Sequence, residues 1–181
     1  MIDKQLLDEI GDNWIVRYDN DGKSYNAFQW ASIGEWTKVP DWNPEPICGG
    51  GLHGQGPGGF GVSQPGTRFV FAETRGPRVV VDGDKIKVRE ARILYVNQDA
   101  LDALVQKCNG VFPGSLDVRK GATLTAPGLK QVTGSLYVRE GATLTAPGLK
   151  QVTGSFDVRE GATLTAPGLT PSPRGNRGRG R

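Results

Sequence analysis

His53 is the one histidine of the chain, and it ends a run in which a thiol and an imidazole lie five residues apart: Cys48-Gly49-Gly50-Gly51-Leu52-His53. A cysteine and a histidine can act as nucleophile and base. With Cys108 they would offer zinc three ligands, but the spacings match no closed tetrahedral motif, and one histidine excludes multi-histidine sites. The expectation is no metal and no cofactor. The glycine run lacks the Gly-Lys-Ser/Thr ending of a P-loop and does not lead a strand into a helix at dinucleotide spacing. Its glycines are read as sharp turns that let backbone pass close to Trp30, Trp36, Trp42 and Phe60. Should an active site exist there, His53, Tyr25 and Glu73 are the polar candidates that converge on it.

A second set of charged residues recurs at a fixed interval. Gly114-Ser115-Leu116-Asp117-Val118-Arg119, Gly134-Ser135-Leu136-Tyr137-Val138-Arg139 and Gly154-Ser155-Phe156-Asp157-Val158-Arg159 each lead into Gly-Ala-Thr-Leu-Thr-Ala-Pro-Gly-Leu. A period of this length signals a solenoid, whose units bury their apolar sides only by stacking on copies. Stacking would align Arg119, Arg139 and Arg159 in one row, Asp117, Tyr137 and Asp157 in the next, and Lys120, Glu140 and Glu160 in a third. Threonines 123, 143 and 163, and 125, 145 and 165, would form hydroxyl rows. The arginine row, with Tyr137, Lys130 and Lys150, is a candidate surface for phosphates or carboxylates of a partner. The plainer reading is that Asp117, Asp157, Glu140 and Glu160 neutralise it.

The third copy departs from the pattern after Leu169, continuing as Thr170-Pro171-Ser172-Pro173 and an Arg/Gly run. This segment has a disordered composition. Arg174, Arg177, Arg179 and Arg181 are candidates for weak, salt-dependent nucleic-acid contact, or they solubilise a sticky edge. An uncapped last coil would also allow homo-oligomers. Lysine and arginine total 22 against 19 acidic residues, a formal charge of +3. Four of those arginines fall in the last eight residues, leaving 18 against 19 elsewhere. A near-neutral body argues against a general nucleic-acid surface. Two cysteines make no disulfide framework, and no leader or membrane-length apolar run is read. The expectation is no membrane and a cytoplasmic setting.

The elements expected to carry these residues are short. Residues 2–10 have helical spacing at Ile2, Leu6, Leu7 and Ile10. Residues 14–18 read as a strand, 19–22 as a turn and 25–30 as a second strand, together an opening hairpin. Residues 40–66 read as loop. Strands follow at 67–73 and 78–81, with Gly76-Pro77 between them. After a turn at 82–84 come 85–89, whose three bases are set on the outer side, and 91–96. Residues 98–108 place Leu101, Leu104, Val105 and Cys108 on one helical face, ended by Asn109-Gly110. The fold class is mainly β: a small α+β domain at 1–97, a capping helix at 98–110, a parallel β-solenoid of three twenty-residue coils at 111–169, and a basic tail at 170–181.

Pro40-Asp41-Trp42-Asn43-Pro44, followed by Cys48-Gly49-Gly50-Gly51-Leu52-His53-Gly54, resembles the core of a small domain of unknown function seen in bacteriophage, prophage and some bacterial proteins. The resemblance covers roughly residues 13–97. The Gly-Ser-Leu-x-Val and Leu-x-Ala-Pro-x-Leu coils resemble leucine-rich-like, receptor-L-domain-like β-solenoid repeats attached to such domains. The resemblance implies a phage or mobile-element accessory protein, in the host cytoplasm or the virion, and transfers no activity. Three functions are weighed. One is a non-enzymatic binder of a macromolecular partner, a protein above all, with inhibition of a host-defence component as one such role. Another is an enzyme acting on a nucleotide at the His53 loop, since short strands with a Gly-Leu-His segment also resemble ADP-ribosyltransferase-like folds. The last is nucleic-acid binding through the Arg/Gly tail.

Overall fold

The computed structural model describes residues 2–24, 27–60, 66–81 and 85–170. Among them the chain is mainly β, and it divides into two compact units, residues 1–103 and 104–181. In the first unit α1 (Lys4–Glu9), β1 (Trp14–Asp19), β2 (Trp36–Lys38), β3 (Leu52–Gly54), β4 (Arg68–Val81) and β5 (Lys85–Val96) lead into α2 (Asn97–Lys107), within which the division falls. The Asp3 carboxylate accepts from Leu6 N and caps α1, satisfying a donor that the first turn leaves open. Leu7 and Ile10, on the apolar face of that helix, are buried.

The expected opening hairpin does not form. β1 is buried along its whole length and pairs antiparallel with β4, from Trp14↔Glu73 to Asp19↔Arg68. Residues 27–30 hold no strand; Gln29 makes one bridge to Lys23, while Trp30 N donates to Gly22 O and its Nε1 to Ser24 Oγ. The large residue at 30 turns into the core instead of extending an edge. Tyr25 lies outside the described residues, as does the turn expected at 82–84.

Two other expectations change. The strands read on either side of Gly76-Pro77 are one, β4, and the dipeptide makes a bulge: Arg75 pairs with Glu90, and Arg78 is next in register, with Val88. Gly76 has φ 79, and a proline without an N–H fits where the ladder skips a residue. The segment read as loop contains β3, which pairs with β5 as β2 does. Beyond β3, Val16 and Gln55 exchange two backbone hydrogen bonds of 2.7 and 2.8 Å. β1, β4, β5 and the β3 segment therefore form a closed circuit. Ile15, Leu52, Val70, Ala72, Ile86, Val88, Ala91 and Ile93 cluster with Trp30 and Val39. Strand alternation sends the neighbouring side chains the other way. There Trp14 stacks on Phe71 at 5.6 Å and Tyr18 meets Phe69 at 5.0 Å.

In the second unit three sets of strands repeat: β6 (Val111–Phe112), β7 (Leu116–Val118) and β8 (Thr123–Thr125); β9 (Gln131–Val132), β10 (Leu136–Val138) and β11 (Thr143–Thr145); β12 (Gln151–Val152), β13 (Phe156–Val158) and β14 (Thr163–Thr165). They build three parallel three-stranded sheets, with β9, β10 and β11 central. Leu136 registers with Leu116 on one side and Phe156 on the other, and Leu144 with Leu124 and Leu164. Leu129, Val132, Leu149 and Ala146 are buried beside them.

The Gly-Ser pair that opens each repeat is explained by this stacking. Gly134 N donates to Gly114 O, and a β-carbon on Gly134 would lie 2.6 Å from the Gly114 carbonyl carbon. Ser135 N donates to Ser115 Oγ, and Ser155 N to Ser135 Oγ, each at 3.0 Å. Glycine lets the layers approach, and serine carries a bond between them.

Candidate functional site

The arginine row sits where the repeat sequence puts it, just after β7, β10 and β13. Arg139 grips Asp117 bidentately, Nε to Oδ1 at 2.8 Å and Nη2 to Oδ2 at 2.9 Å. Arg119 Nη1 reaches the same carboxylate at 3.1 Å, and Arg159 Nε reaches Asp157 at 2.8 Å. The Arg139 guanidinium also lies 5.0 Å from the centroid of Tyr137. Its pKa is raised, first by the hydrogen bonds to Asp117. Asp117 is buried because two guanidinium groups close over it. Of the four carboxylates named beside the row, Asp117 and Asp157 pair with its arginines. Lys130 and Lys150 are exposed but precede β9 and β12, so they belong to a different sheet. Lys120 pairs with Glu140 at 3.0 Å.

The end of the repeats offers a different surface. Leu116, Leu136, Val118 and Val138 are 0–1% exposed, whereas Phe156 and Val158 are 36% and 37% exposed. β12, β13 and β14 are the edges of their sheets. At the opposite side of the stack, Lys130 N and Gln131 N donate to Gly110 O, and Val105 packs against Gly128. Arg174, Arg177, Arg179 and Arg181 lie outside the described residues.

In the first unit His53 stands on β3 rather than in a loop, opposite Lys87 of β5. Glu73 stands on β4 opposite Arg92 of β5, whose Nε it holds at 2.6 Å. Lys87 and Arg92 are five residues apart, about 16 Å at the strand rise. The register thus separates His53 from Glu73 along β5. Cys48 is exposed, with Lys85 Nζ 2.7 Å from its Sγ; Cys108 is half-buried. Among the described residues no group of three or more His, Cys, Asp and Glu converges as a metal site, and no helix is long and apolar enough to cross a membrane.

Two buried cations were not anticipated. Lys87 was assigned to the outer side of an alternating strand, yet its ammonium is buried and donates to Glu45 O, Ile47 O and Gly49 O at 2.6, 2.9 and 3.2 Å. All three of its donors are used, and they fix the course of the 45–49 segment. Gly51 makes room for it, since a β-carbon there would lie 2.2 Å from Lys87 Cγ; Gly50, at φ 55, is packed instead against Asn43 and Asp41 O. Arg17 is the other, buried on β1 beside Trp30; burial pushes its pKa down to about 10, Asp19 opposing and Arg68 adding to the fall. A lone arginine between Ile15 and Asp19 in an otherwise apolar strand is the signal that marks it in the sequence.

No family model, curated protein or solved structure matches the chain.

Proposed function

We propose that the chain is a non-enzymatic accessory protein of a phage or mobile element, in which the twenty-residue units wind as a short β-solenoid and the last unit docks a protein partner. The observation that carries it is the step in exposure from Leu136 and Val138 to Phe156 and Val158, in register along the same sheet. Apolar side chains beside open strand edges are an unstable surface alone and a ready one for a partner. The ion pairs along the arginine row make that row a lesser contributor. Host-directed binding, including inhibition of a defence component, is the setting this reading takes from the resemblance of the Pro40–Gly54 string.

Capture from a host extract by the intact chain, compared with a Phe156→Asp/Val158→Asp variant, tests it. Specific capture by the former that the latter loses, with folding unchanged by circular dichroism, is the expected result. Equal capture by both overturns the assignment to the last unit.

A further inference from the structure

A separate observation, independent of the coils, lies in the first unit. Arg17 shares a strand face with Ile15 and so points toward the cluster that holds Trp30; it is 5% exposed. Its guanidinium carbon is 4.9 Å from the Trp30 ring centroid, and Nη1 donates to His53 O at 2.9 Å. Its Nε–H has no hydrogen-bond partner among the described residues. The neighbouring carboxylate is committed elsewhere: Asp19 takes Arg68 Nε and Nη2 at 2.8 and 3.0 Å and Gly22 N at 3.2 Å.

The same chain shows what the Nε/Nη2 edge of an arginine does when it is filled. Arg68 holds Asp19 by that edge, and Arg139 holds Asp117 by it at 2.8 and 2.9 Å. Arg17, the most buried of the three, has Nη1 tied and its Nε–H unpartnered among the described residues. A carbonyl and a ring face return only part of the cost of burying a cation. They do hold the guanidinium plane in one orientation, which lowers the cost of adding a ligand. Asp19 is engaged by Arg68, which the exposed Asp21 also approaches at 3.6 Å, so both nearby carboxylates are drawn to Arg68.

We propose that Arg17 is the recognition group of an oxyanion site in the N-terminal unit, taking the carboxylate or phosphate of a small ligand on its Nε/Nη2 edge while Trp30 and the His53 carbonyl hold its plane. Both groups present two oxygens at the spacing of the fork, and the test separates them.

The full chain, labelled with 15N, is titrated with inorganic phosphate and, separately, with acetate at constant ionic strength, reading the arginine Nε–H and tryptophan Nε1–H resonances. One of the two anions is expected to shift the Arg17 Nε–H and Trp30 Nε1–H signals saturably while Arg68 stays in place. Arg17→Lys keeps the charge and loses the fork, so half-saturation read at Trp30 should rise at least about tenfold. Unsaturating shifts in both arms, or an unchanged half-saturation in Arg17→Lys, overturn the site. Should Arg17→Lys fail to fold, the titration of the unaltered chain decides alone: a saturating Arg17 signal supports the proposal and its absence overturns it.

Discussion

Gly51, just before β3, and Lys87 of β5 are shaped to one another: the space a β-carbon would fill on Gly51 is taken by Lys87 Cγ and Cδ, at 2.2 and 2.6 Å. Gly51→Ala is therefore expected to destabilise the first unit by about 1–3 kcal/mol. Lys87→Ala removes the obstructing stem, so the double variant should lose less than the sum of the singles, with a coupling of roughly 1–2 kcal/mol in urea denaturation. Strict additivity would mean the stem is not what excludes the methyl group.

Lys87→Met keeps most of the stem and deletes the ammonium. Three carbonyls, of Glu45, Ile47 and Gly49, lose their donor. A buried acceptor left without a partner costs about 1–3 kcal/mol, and carbonyls that reach water cost less. A total near 3 kcal/mol is expected, with faster amide exchange over residues 45–49 by hydrogen exchange.

Along the repeats, the same kind of truncation should cost less at the last layer. Leu136→Ala, at a site with no exposure, is expected to lose about 2–5 kcal/mol. Phe156→Ala removes more atoms but from a side chain already 36% exposed, and a loss of about 1 kcal/mol is expected from area alone. Equal losses by urea denaturation would show that Phe156 is covered in solution.

Glycines of the repeat divide by cause. Gly134→Ala drives a methyl group into Gly114 backbone, which cannot step aside, and should cost about 3 kcal/mol or more. Gly141 has open space but φ 65, so Gly141→Ala should cost only the left-handed strain, about 1–2 kcal/mol. Thermal melts of the two variants rank them.

Arg17 supplies a pH dependence. Burial lowers its folded pKa to about 10, below its ordinary value, so above pH 10 the unfolded chain binds more protons and stability rises with pH. The penalty, about 3 kcal/mol, is fully present below pH 10 and relieved above it. Arg17→Met should match or exceed the unaltered chain at pH 8, and urea midpoints should shift in favour of the unaltered chain as pH passes 10. A constant gap from pH 8 to 11 would contradict the burial of the charge.

The repeats were legible because identical units can satisfy one another only in register, and Leu116, Leu136 and Phe156 align as the spacing requires. α1, β1 and α2 were legible from local periodicity. What failed was long-range pairing. Residues 25–30 alternate like a strand, but the partner of β1 lies some fifty residues on, and no local pattern encodes that choice. β3 escaped notice because Leu52 and His53 are flanked by Gly49, Gly50, Gly51 and Gly54, which read as punctuation. Lys87 escaped because alternation assigns a face, not a solvent, and here a folded segment of backbone carbonyls takes the place of water.

Leu136 meets an equivalent neighbour on either side, and the middle unit that carries it is interchangeable with any further copy. Unequal recombination among such repeats would lengthen or shorten the protein in whole increments of one layer. Each event would pair the former edge strands with the added copy and leave edge strands of the same sequence, so length could change while the exposed edge kept its chemistry.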